Sequence, residues 1–145
     1  MRLAKFVMVY MALSAILFLP VGNASGSGEA KEKGTKAHTA SVDKDGIQRV
    51  TVLAGSYFFD PDFITVKVNV PVELTIKKEE GIPHAFVITS PEAGMDINES
   101  LSTEPKVIRF TPTKTGKYPF YCDKKFLFFK SHRSRGMEGT IEVTE

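Results

Sequence analysis

From Ile47 onward apolar residues return at every second position, and nothing else in the chain restricts its fold as tightly. Val50 and Val52 alternate with Arg49 and Thr51. Ile64, Val66 and Val68 alternate with Thr65, Lys67 and Asn69, and Val72, Leu74 and Ile76 continue after Pro71. A helix would scatter these side chains around its axis, whereas a strand lines them up on one face. Phe86 and Ile88 repeat the pattern, and Val107–Phe110 and Thr140–Val143 read as two further strands. Asp60-Pro61, Lys78–Gly81, Ser90-Pro91 and Pro112–Gly116 are turn-forming breaks between them. No segment sustains a helical period, although Ala93–Leu101 has room for a helical turn. Short strands at this spacing predict an all-β sandwich.

The front of the chain is of another kind. Arg2 and Lys5 precede an almost wholly apolar run from Phe6 to Leu19, Pro20 ends it, and Gly22-Asn23-Ala24 supplies small residues. This pattern predicts a secretory signal over residues 1–24. An uncleaved anchor is the alternative, but a spanning helix needs about 20 apolar residues and the run is shorter. Residues 25–45 are small, polar and charged, which reads as a flexible tether leading to a folded domain over residues 46–145. His38 stands alone in that tether and is expected to be no ligand. The expected product is secreted or periplasmic, with no stable insertion in a membrane.

Removing residues 1–24 takes Arg2 and Lys5 and no acid, leaving 17 Lys+Arg against 17 Asp+Glu. A neutral chain offers no electrostatic case for nucleic acid. One cysteine makes no intramolecular disulfide, so the core alone must hold the domain. A lone thiol in an oxidising compartment is a liability unless something protects it. Metal ligation would.

The folded part has two histidines, one cysteine and two methionines. Taken singly, each has an ordinary explanation: Cys122 as a small buried apolar residue, His84 at a strand end, Met137 as core filler. Taken together, His84, Cys122, His132 and Met137 form a soft donor set, and two imidazoles and a thiolate with a weak thioether describe an electron-transfer copper site. Met95 is left over and is expected in the core or a loop. Zinc competes for such a set, but Cu(II) stands above it in affinity. No catalytic dyad, phosphate loop or open hydrolytic site is visible, so the chain is not expected to be an enzyme.

Phe59-Asp60-Pro61 followed by Ile64-Thr65-Val66 resembles the opening of many cupredoxins. Phe110-Thr-Pro112, Gly116 and Tyr118-Pro-Phe-Tyr-Cys122 are similar to the strand that leads that family's cysteine into the copper. The resemblance covers residues 47–145. It implies a Greek-key β-sandwich with one copper at one end, held by His84, Cys122, His132 and Met137. The chain departs from the small blue proteins in one respect, because nine residues separate Cys122 from His132. The family's binuclear members also have long ligand loops, but they use two cysteines, and this chain has one.

The inserted loop places Lys124, Lys125, Lys130, Arg133 and Arg135 around Phe126-Leu127-Phe128-Phe129. Two readings stand side by side, with a membrane-surface role as a weaker third. The phenylalanines cap the sandwich, or they form a docking surface ringed by positive charge for an acidic redox partner. The expected function is an exported one-electron carrier. The alternative is a copper protein for storage, delivery or resistance.

Overall fold

The computed structural model describes residues 34–79, 81–125 and 127–145. The expected signal over 1–24, the first part of the tether and Phe126 lie outside the described residues. Ten strands follow in order: β1 Ala37–Thr39, β2 Gln48–Gly55, β3 Phe58–Asp60, β4 Phe63–Lys67, β5 Val72–Lys78, β6 His84–Ser90, β7 Met95–Leu101, β8 Lys106–Phe110, β9 Gly116–Tyr121 and β10 Glu138–Thr144. They form a six-stranded sheet, β1-β4-β10-β9-β6-β7, and a four-stranded sheet, β3-β2-β5-β8. The chain passes back and forth between the two sheets, as the expected all-β sandwich requires.

The alternation read from the sequence is the alternation of burial. Val50, Val52 and Ala54 on β2, Leu74 and Ile76 on β5, and Ile64 and Val66 on β4 are all buried in one contiguous core. Gln48 is a polar member of that interior. Its side-chain oxygen accepts from the Lys67 amide at 2.6 Å, and its Nε2 donates to the carbonyls of Lys67 and Val70 at 3.2 and 3.3 Å. One amide side chain thus joins β2 of one sheet to β4 of the other, with its hydrogen-bonding groups satisfied as burial demands.

Two expectations need correction. The folded part begins before residue 46: β1 pairs in parallel with β4, His38 opposite Ile64, and Ala40 is buried. β1 is exposed at all three positions, so it carries no apolar period and is held through its backbone. His38 therefore lies on an edge strand. The second correction concerns Ala93–Leu101. The only helical piece there is a 3-10 turn over Pro91–Ala93, and Met95–Leu101 is a strand paired along its length with β6. Met95, Ile97 and Leu101 face inward.

The arrangement that matters for function is the run β10-β9-β6 in the larger sheet. β9 is antiparallel to both neighbours, with Tyr121 opposite Val87 on β6 and opposite Glu138 on β10. The start of β6, the end of β9 and the start of β10 therefore meet at one end of the sandwich.

Candidate metal centre

His84 opens β6, Cys122 follows the last residue of β9, and Met137 immediately precedes β10. All three are buried, and so is His132 in the loop between Cys122 and Met137. Backbone bonds close that loop at its base. The Cys122 amide donates to the Met137 carbonyl at 3.1 Å, the Met137 amide to the His132 carbonyl at 3.0 Å, and the His132 amide to the Lys124 carbonyl at 2.8 Å. Arg133–Arg135 form a 3-10 turn, and Gly136 ends it at φ 90°, a left-handed conformation that glycine adopts without strain. The nine-residue insertion thus bulges outward, while its two ends remain fixed beside the ligand positions.

Cys122 Sγ lies 3.9 Å from His84 Nδ1 and 3.5 Å from His132 Nδ1, and the two Nδ1 atoms are 3.2 Å apart. The three residues form a buried cluster whose ligand atoms lie within 4.8 Å of one another. From these sides, the point equidistant from the donors is about 2.1 Å from each, against roughly 2.0–2.1 Å for imidazole nitrogen and 2.3 Å for thiolate sulfur on a first-row dication. Neutral imidazoles and a thiolate suit copper by softness as well. The set is compatible with one copper ion.

Burial pushes the Cys122 thiol above its ordinary pKa, opposed by the Ala85 and Lys124 amides. The Ala85 N–H approaches the sulfur at 3.3 Å and favours its charged form. Burial, and then the Arg135 charge, lower the pKa of His132, so this ring stays neutral to a lower pH than a free imidazole. Binding a metal here therefore requires a proton to leave Cys122 and none from His132 at neutral pH.

Tyr57, which no motif in the sequence marks, also belongs to the site. Its ring stands edge-on to His132, with centroids 5.1 Å apart and planes at 88°. Its hydroxyl accepts a bond from Arg135 at 2.8 Å, and the same guanidinium lies over the ring at 4.7 Å. Tyr57 has φ 61°, a strained value for a bulky side chain, which persists only where surrounding contacts enforce it. The one available signal was a large aromatic directly after Gly55-Ser56, in a turn where small residues usually serve.

The exposure of the inserted loop's apolar residues bears on the capping reading alone. Leu127 and Phe129 are 67% and 60% exposed and Phe128 is fully exposed, so the described members do not cap the sandwich. Lys124, Lys125, Phe129, Lys130 and Arg135 instead line an open hollow that reaches His132.

The model of the cupredoxin-like domain family matches residues 14–141, most of the chain. The chain belongs to the cupredoxin-like family. This cupredoxin matches no curated protein sequence. Among solved structures it is similar to the metal-binding domain of the Cu(I)-exporting P-type ATPase CopA of Streptococcus pneumoniae D39, at 24% identity and TM-score 0.58. That match covers 77% of this chain and 99% of the other. It is similar also to a copper-binding protein solved in its apo form, at 22% identity and TM-score 0.58, over 77% and 100% of the two chains. Auracyanin B matches at 18% identity and TM-score 0.55, over 76% and 97%. At these identities the likeness establishes the fold.

Proposed function

We propose that this cupredoxin is exported, holds one copper ion through His84, Cys122 and His132 with Met137 as a weak fourth donor, and carries single electrons. The observation that supports this reading best is the buried triangle of one sulfur and two imidazole nitrogens, all within reach of a single ion. Copper supplies the one-electron couple. The protein fixes its donors: Cys122 and His132 are tied through the backbone to Met137, and the Tyr57 ring packs against His132. Donors that move little between charge states suit fast electron transfer. Electrons would pass by way of the His132 side, where Lys124, Lys125 and Lys130, with Phe128 and Phe129 beside them, suit an acidic partner. Steering of that kind raises the association rate and is weakened by salt. Among the described residues no helix is long and apolar enough to cross a membrane.

Repeated reduction and reoxidation in the presence of a Cu(I) chelator of moderate affinity tests the reading. Copper should remain bound over many cycles, and exchange with an acidic partner should slow as ionic strength rises. Loss of the ion in the first cycle would instead favour a protein that delivers or stores copper.

Met137→Leu tests the fourth donor. The variant should keep its copper and its visible band while its reduction potential rises, because a thioether favours Cu(II) over leucine at that position. An unaltered potential would assign the fourth position to another group.

A further inference from the structure

The hollow beside the metal centre has a volume of about 540 Å³, inside the roughly 300–1,000 Å³ of clefts that take small molecules. Ile82, Pro83 and Phe129 give it apolar walls, and His132 forms part of its lining. Lys124, Lys125, Lys130 and Arg135 contribute four positive charges, and no carboxylate is among the described lining residues. Only Lys124 has an acid within ion-pair reach among the described residues, Asp123 at 3.8 Å. Arg135 lines the hollow and is already held by the Tyr57 hydroxyl and ring, so a bond from its guanidinium to an occupant costs little further side-chain entropy.

Each of these features selects for something in an occupant. The concavity favours a compact molecule over a flat protein face, the apolar walls favour a hydrocarbon body, and the four cations favour a negative head group. We infer that the hollow binds a small organic anion with an apolar body, its carboxylate or sulfonate held by Arg135 and the lysines. Such a ligand would lie against the His132 side of the metal centre. On the electron-carrier reading above, it would compete with the redox partner for the same approach.

The test uses 1-anilinonaphthalene-8-sulfonate as the probe and N-phenyl-1-naphthylamine as its uncharged counterpart. Fluorescence titration of the folded protein should show saturable binding of one sulfonate per chain, with the uncharged compound bound at least ~10-fold more weakly. The double variant Lys125→Glu, Lys130→Glu changes two exposed residues and should weaken the sulfonate by about 10-fold or more, as two reversed contacts of modest strength predict. Fluorescence of the bound probe should be quenched more in copper-loaded than in zinc-loaded protein, because the hollow adjoins His132. Unsaturable binding, equal binding of the neutral compound, or full binding by a double variant with an unchanged near-ultraviolet dichroism spectrum would each overturn the proposal. The zinc-loaded titration involves no electron transfer, so its failure leaves the carrier reading intact. Conversely, loss of copper during redox cycling would not affect it.

Discussion

Cys122→Ser is expected to abolish the intense visible thiolate-to-copper band and to weaken copper(II) binding by more than roughly 100-fold, beyond the 10–100-fold usual for losing a group that merely supports a ligand. The sulfur is one corner of the only triangle of donors that one ion can span among the described residues. Serine oxygen is hard, and at an ordinary pH it stays protonated, so the remaining donors are two imidazoles and the weak Met137 thioether, none of them anionic. The cost to folding should be much smaller, since the two side chains have nearly the same shape. Optical titration with copper(II) reads the first effect and far-ultraviolet dichroism the second. A surviving band would show that it does not arise from a Cys122 thiolate, the only thiol of the chain, and would sink the assignment of the centre.

How much of the centre is legible in the sequence depends on the residue. His84, Cys122 and His132 were legible because their side chains are chemically rare in this chain and fit one purpose when combined. Their meeting is a consequence of antiparallel pairing: a histidine at the start of β6 and a cysteine at the end of β9 come together only if those strands are neighbours. Met137 was legible by type, and the structure gives it a buried place bonded through its peptide groups to Cys122 and His132. Tyr57 was not legible, because its role follows from one strained turn in the distant β2–β3 connection, and a single aromatic residue in a turn has no period to betray it.

The strands divide in the same way. β2, β4, β5 and β6 present large apolar residues at alternate positions, which exposes the pattern in the sequence. β7 has the same inward phase in Met95, Ile97 and Leu101, but Glu99 interrupts it, and the remaining positions are Asp, Asn and Ser. Such a polar edge strand is specified by the neighbour it pairs with, β6, more than by its own composition. β1 is the extreme case, since all three of its residues are exposed and only the backbone ladder with β4 defines it.

Phe120→Ala is expected to destabilise the protein by about 3–5 kcal/mol, the range for removing a large buried aromatic side chain. Phe120 is fully buried and stacks on Phe86, with centroids 5.0 Å apart and planes at 29°. It also meets Phe59 edge-on at 5.2 Å. The alternation of the strands ties this cluster to the metal centre: Phe120 is two residues before Cys122, and Phe86 is two residues after His84. Gly139, two residues after Met137, leaves the space the ring occupies, because a Cβ there would collide with Phe120 and with the Asp62 carbonyl. The aromatic cluster therefore fixes the height of three strand ends at once. Removing the Phe120 ring should loosen β6, β9 and β10 together, so that the copper-loaded variant shows a broadened visible band as well as a lowered midpoint in urea. Gly139→Ala provides the opposite perturbation, adding a methyl group where none fits, and should lose about 1–3 kcal/mol. Equilibrium unfolding of both variants measures the difference. A loss below about 1 kcal/mol for Phe120→Ala would mean that the neighbouring rings collapse into the vacated space, and that the centre is supported by its loop instead.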